Sequence, residues 1–135
     1  MAVLALTDAS ITINSISLGN RANSISVNYE IDAIEVTAFG DTGHKFVGGL
    51  QNNSIEIALM QDFAAANVEA TIYPLVGTTT TVVVKATSSA VSATNPSYTI
   101  SGTFLAAHTP VAGGVGELAM TTLSFTGGTI VKAVA

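Results

Sequence analysis

"EVTAFGDTGHKFVGGLQNNSIEIALM", Glu35 to Met60, joins two unlike kinds of segment. Its end, "NSIEIALM", alternates strictly: Ile55, Ile57 and Leu59 stand against Ser54, Glu56 and Ala58. A period of two marks a strand with one buried face. The part before it breaks that rhythm and carries Gly40, Gly43, Gly48 and Gly49 together with Asp41, His44 and Lys45. A tight hairpin needs only about two to five connecting residues. The stretch 39–50 is longer than such a turn, so the sequence predicts a loop with a task of its own.

Alternation continues on both sides. Upstream, "NSISVNYEIDAIEV" puts Ile25, Val27, Tyr29 and Ile31 on one face and Ser26, Asn28, Glu30 and Asp32 on the other. The phase shifts at Asp32-Ala33, which leaves the face of Glu35 open. In "SITINSISLG", Ile16 and Leu18 fall out of phase with Ile11 and Ile13, which predicts a bulge or bend at Asn14-Ser15. Downstream, "QDFAAANVEATIYPLVG" spaces Phe63, Val68, Ile72, Leu75 and Val76 as on a helix. One short helix over 63–75 is expected, capped by Asp62 and closed by Pro74 and Gly77. "TTTTVVVKA" has high β propensity and is safe at a sheet edge only if another strand covers it. "YTISGTFLAAH" reads as a strand broken or bent at Gly102, and "LAMTTLSFTGGTIVKAV" as a hairpin turning at Gly127-Gly128. With no repeat and no linker, residues 1–135 form one domain.

Composition points to company. Apolar residues make up 48% of the 135, charged residues only 10%. A soluble domain usually carries roughly 25% charged residues. So few charges protect a lone chain poorly, and much of its surface is expected to lie against other chains. Net charge is −5 with four basic residues, too few for a phosphate-binding patch. A surface past which nucleic acid slides is not excluded by that. Without cysteine there is no disulfide framework and no thiolate metal site. "MAVLALTDAS" has no basic n-region, and no apolar run approaches the roughly 18 residues of a membrane span. The expectation is a chain that is not exported by this sequence and not inserted in a membrane.

No motif carries catalysis. In "GVGELA", Gly114, Gly116 and Ala119 fit a dinucleotide fingerprint, but that needs a helix next, and "MTTLSF" reads as strand. His44 and His108 lack metal-ligand spacing; Asp41 near His44 could complete a small site, but interface hydrogen bonds are the plainer role. Glu30 or Asp32 could approach Glu56 across neighbouring strands, yet no tryptophan platform accompanies them, and a solvated acidic face is the plainer reading. Asn52 opens an N-N-S sequon that means nothing without export. No enzyme activity, metal or cofactor is expected.

Taken in order, an "FGD" turn, a "GGL" restart, a "QDF" helix entry and a "YPLVG" exit run through the chain, followed by "TNPSYT" and "GGVGELA" before the last hairpin. Over roughly 39–125 this order resembles the major tail (tail tube) proteins of long-tailed bacteriophages. The resemblance implies a β-sandwich or half-barrel with one flanking helix. Six copies would close into a ring whose strands form one β-barrel around a channel, and rings would stack into a tube in the virion tail, assembled in the host cytoplasm. DNA would pass without specific binding, and other tail proteins would meet the tube ends. Under this reading Phe39, Gly40, Asp41, His44, Lys45, Phe46 and Val47 form a ring-to-ring contact loop, mobile when free. Asn28, Glu30, Asp32, Ser54 and Glu56 line an acidic lumen, and Thr79, Thr81 and Val83 lie at a lateral seam. Segments 1–10, 39–50 and 127–135 become inter-subunit arms. The alternatives are a head decoration or tail terminator protein, or a small β-rich binding module.

Overall fold

The computed structural model describes residues 4–134. Ten strands form in chain order: β1 (Ser10–Ile13), β2 (Ile16–Ser17), β3 (Ala22–Asn28), β4 (Ile31–Glu35), β5 (Phe46–Gln51), β6 (Ser54–Met60), β7 (Thr79–Lys85), β8 (Ser97–His108), β9 (Met120–Thr126) and β10 (Thr129–Ala133). One helix, α1 (Val68–Ile72), lies between β6 and β7. The architecture is mainly β with a single short helix, as the alternation predicts.

Eight strands make one antiparallel sheet in the order β2-β1-β7-β8-β9-β6-β3, with β10 also paired to β8. The sheet curls on itself. Ile11 and Ile13 from one end of that order and Ile55, Ile57 and Leu59 from the other join a single buried cluster with Val82, Ile100, Leu123 and Phe125. Val68 and Ile72 of α1 belong to the same cluster. Strand β8 makes the curl possible by changing partners. Its first half, Ser97 to Ser101, pairs with β10, and Phe104 to His108 pair with β9. Between them Gly102 takes a left-handed φ of +68°. The strand bends there but does not break.

One turn follows the sequence closely and another does not. Asn14 and Ser15 both have positive φ, 50° and 68°, as a two-residue type I′ hairpin turn requires. Ile16 falls out of phase because it lies on the returning strand, opposite Ile13, and not because of a bulge. The expected final hairpin does not form: after Gly127 and Gly128, with φ of +78° and +86°, β10 leaves β9 and pairs with β8 instead. The two glycines differ in surroundings: a Cβ on Gly128 would stand 2.6 Å from Ser101 O and 2.9 Å from Thr103 N, whereas one on Gly127 meets nothing within 4 Å. Gly128→Ala is therefore expected to destabilise the fold by about 2–3 kcal/mol and Gly127→Ala by about 1 kcal/mol. Urea unfolding of the two variants checks this ordering.

Two expectations need correction. The helix does not run over 63–75. The Asp62 carboxylate accepts a hydrogen bond from Ala64 N at 2.9 Å, and Ala66 has φ of +61°, so the alanine run forms an irregular turn. Helix begins after Asn67, and Pro74 lies in a 3-10 turn, Tyr73–Leu75. Phe63, placed on the apolar stripe by spacing, is exposed. Strand β7 is not an edge either. It lies between β1 and β8, in register from Ser10↔Lys85 to Ile13↔Val82 on one side and from Thr79↔Phe104 to Lys85↔Ser97 on the other. β1 covers its second half, Val82 to Lys85, and Asn14 N reaches Thr81 O at 3.0 Å, while Thr79 and Thr80 lie beyond the β1 register. Of the seam candidates, Val83 lies inside the β1 register and Thr79 outside it.

A candidate self-assembly surface

Two features stand out beside the core: a projecting ribbon and a polar wall. The ribbon is the stretch first expected to be a loop. Residues 46–50 belong to β5, which pairs with β4 from Ile31↔Gln51 to Glu35↔Phe46 as a separate two-stranded sheet. Its register shift between Ile31 and Ala33 is the phase change visible in the sequence. β3 and β6 are also paired with each other, so β4 and β5 prolong their hairpin beyond the main sheet. At about 3.3 Å per residue the five residues of β4 reach roughly 17 Å before the tip.

The ribbon's root is built on Asn53, almost fully buried. Asn53 Oδ1 accepts from Glu30 N at 3.2 Å. Its Nδ2 donates to Gln51 Oε1 at 2.9 Å and to Gly128 O at 3.1 Å. One side chain thereby joins both legs of the ribbon to the β9–β10 turn. The sequence showed Asn53 only as the middle of an unused sequon; its partners lie 23 and 75 residues away, and local pattern carries no trace of them.

The tip carries its own polar contacts. Val36 N donates to Lys45 O at 2.8 Å and closes the ladder. Asp41 accepts from Ala38 N at 2.8 Å and pairs with Lys45 Nζ at 2.9 Å. His44 Nδ1 meets the Glu35 carboxylate, which also accepts from Thr37 Oγ1. The Ala38 amide first, and Lys45 second, hold the Asp41 carboxyl below its ordinary pKa. A depressed carboxylate stabilises its surroundings while ionised, and that contribution is lost as pH falls through its folded pKa. Acidification below the usual carboxylate range should therefore loosen the tip. The amide resonances of Ala38 and Lys45 should shift at a lower pH than a free aspartate titrates.

Apolar side chains crowd this polar frame. Phe39 stands fully exposed at the tip, and Phe46, Val47 and Leu50 are 59%, 50% and 81% exposed. Gly40 adopts φ of +96° to make the tip turn. The seven residues expected to form a contact loop thus lie together on one projection, Phe46 and Val47 on its strand and the others in its tip.

The wall lies on the outer face of β3, β6 and β9. Register sets three rows of side chains across it: Asn28, Ser54 and Thr126; Ser26, Glu56 and Ser124; Ser24, Ala58 and Thr122. Their strand neighbours Ile55, Ile57, Leu123 and Phe125 point the other way, into the core. Asn28, Ser54 and Glu56 are therefore brought together as expected. Glu30 and Asp32 are not: Glu30 sits at the ribbon root, where its carbonyl accepts from Asn52 N at 2.7 Å, and Asp32 is on β4. The wall is rich in hydroxyls with one carboxylate, rather than broadly acidic. β3 pairs only with β6, and β10 only with β8, so each presents a free ladder edge among the described residues.

Elsewhere the chemistry is structural. His108 is buried, its Nε2 3.0 Å from Glu69 Oε2 and its Nδ1 2.9 Å from Thr121 Oγ1, tying α1 to β8 and β9. The glycine loop before β9 is closed by Glu117, which accepts from Gly114 N at 3.0 Å, and a strand follows it, so no helix N-terminus faces a phosphate. Among the described residues no three His, Asp or Glu side chains converge on a metal position. No helix there is long and apolar enough to cross a membrane.

No protein-family model matches the chain, and no curated protein matches its sequence. Solved structures do share the fold. A chain in the extended sheath–tube complex of an extracellular contractile injection system, PVC, superposes with a TM-score of 0.71 at 11% identity, covering 98% of this chain and 93% of that one. A chain in the sheath/tube terminator of the same kind of system gives 0.71 at 11% identity, over 96% of each chain. A chain from the virion of a native gene transfer agent gives 0.68 at 13%, over 97% of this chain and 99% of that one. At such identities the likeness establishes the fold.

Proposed function

We propose that this chain is a structural subunit of a phage-type tail tube, with no catalytic activity. The observation that carries the reading is the juxtaposition of a free β3 edge, a polar wall on that same strand and an apolar ribbon prolonging it. Side by side, copies pair through free edges such as β3 and β10 and extend one sheet around a ring, which removes the exposed ladders. The row of Asn28, Ser54 and Thr126 and the row holding Glu56 face the bore. The ribbon crosses to the next ring, where Phe39, Phe46 and Val47 leave water. Sixfold closure follows from the resemblance to tail tube proteins, as do virion location and partners at the tube ends.

A hydroxyl wall with one carboxylate per copy suits passage without adhesion. Serine and threonine offer no positive charge to phosphate, and Glu56 repels it over about one Debye length, about 8 Å in physiological salt. DNA therefore slides through unread. A second reading, a terminator that closes such a tube with a single ring, is favoured by the equal fold likeness to a terminator-complex chain. Electron microscopy of the purified, concentrated chain separates them. Stacked rings support the tube subunit and single rings that never stack support the terminator. Monomers at every concentration contradict both.

A further inference from the structure

Among the described residues the outer edge of β10 meets no strand, yet part of it is occupied. In an antiparallel ladder the N–H and C=O of one residue point to the same side. Ile130 N donates to Gln51 Oε1 at 3.1 Å, so Ile130 and, two residues on, Lys132 turn their backbone groups away from β8. The β6 ladder that covers β9 stops at Ser54↔Thr126. Beyond that point the ribbon root takes over. Asn53 O accepts from Gly127 N at 2.8 Å, Asn53 Nδ2 donates to Gly128 O at 3.1 Å, and Gln51 Oε1 takes Ile130 N. Gln51 is held in place for this, because the same Oε1 accepts from Asn53 Nδ2 at 2.9 Å.

Such an edge is a hazard without cover. "TIVKAV", Thr129 to Val134, is a β-prone run with a single charge, and its Val131 is 62% exposed. A second copy of this chain offers the same run. Two β10 strands meeting antiparallel about Val131 would set Ile130 of each copy opposite Lys132 of the other. Both residues point outward, so each such pair would exchange both of its hydrogen bonds. Lys132 does not prevent this, because it faces an isoleucine and not another lysine. Gln51 does, because both pairs need the Ile130 amide.

We propose that Gln51 is an edge guard: its side chain stands in for a strand at Ile130 and keeps free copies of this chain from joining β10 to β10. The guard goes beyond the tube reading and does not depend on it. Lys132 keeps its outward groups, so the end of a neighbour's β3 can still be received there.

Hydrogen exchange read by NMR on the dilute wild-type chain should show the Ile130 amide protected and the Lys132 amide, also outward, exchanging freely. This comparison needs no variant to fold. In Q51A the Ile130 amide should exchange about 10-fold faster, the worth of one hydrogen bond. Sedimentation velocity should show Q51A as dimers at concentrations where wild type runs as single chains. Q51E keeps an acceptor oxygen and should match wild type in both measurements. Q51A/V131K puts like charges face to face at the centre of the paired strands, and should return to single chains while Ile130 still exchanges fast. Equal exchange at Ile130 and Lys132 in wild type, or at Ile130 in wild type and Q51A, overturns the guard. So does Q51A that stays single wherever wild type does, or a dimer that V131K leaves intact. Wild-type chain that never forms rings contradicts the tube reading and leaves the guard standing.

Discussion

Replacing residues 37–44 by an Asn-Gly turn is expected to leave the body folded and to stop assembly. Val36 and Lys45 already stand opposite one another, joined by the 2.8 Å hydrogen bond from Val36 N to Lys45 O. A two-residue type I′ turn closes such a ladder without strain. Nothing in the core cluster lies in the deleted stretch, so the body should lose less than about 1 kcal/mol. Assembly should suffer far more. Burying one large apolar side chain is worth about 1.5–3 kcal/mol, and every copy in a tube would lose Phe39. The critical concentration should rise by about 10-fold to 100-fold. Sedimentation across a concentration series reads the assembly effect, and urea unfolding of the dilute chain reads the stability. A tip-deleted chain that polymerises like wild type, or a body that no longer folds, contradicts the account of the ribbon. Phe39→Ala is the smaller version of the same experiment, with stability unchanged and assembly weakened.

The second large effect is on the fold itself. Phe125 is fully buried on β9, between Ile55 on β6 and Leu105 on β8. It sits where the sheet curls, on the strand whose outer face forms the wall. Phe125→Ala should cost about 3–5 kcal/mol, because lost transfer energy and the cavity left behind add together. A domain stable by about 5–15 kcal/mol would lose a large share of that. The unfolding midpoint in urea should fall with little change in slope. The free chain should also become more prone to aggregate, since β7 carries an apolar run, Val82 to Val84, that the fold hides. A loss under about 1 kcal/mol would mean that the curled core does not close around this ring as described.

Much of this was legible in residue order because alternation reports which face of a strand meets the core. Ile55, Ile57 and Leu59 point inward, and Ser54 and Glu56 outward, as their spacing says. The glycines at 127 and 128 marked a break, since positive φ at two successive positions favours glycine, but not that β10 would leave β9 for β8. Alternation says nothing about which strands are neighbours. That is why "TTTTVVVKA" read as a possible edge although β1, from the far N-terminal side, covers its Val82 to Lys85. The glycines of 48–49 hid a strand: Gly48 and Gly49 contribute no side chain to a period, yet their backbone pairs with β4, and Ile34 fills the space above Gly49. The helix shrank because the Asp62 carboxylate bonds Ala64 N and Arg21, a tertiary pairing 41 residues apart. Asn53 was illegible for the same reason. Buried polar hubs are defined by distant partners, and no local rule finds them.

The central claim is that this fold is completed by other copies, with the β3 edge paired and the Glu56 face turned to a bore. A cryo-electron-microscopy reconstruction of the assembled chain tests it most directly. The account predicts a hollow tube in which the backbone of Ser24 to Asn28 pairs with a neighbouring copy and Glu56 faces the channel. A tube lined instead by the outer face of β7, with Thr81 and Val83 in the bore and the β3 edge unpaired, would contradict it.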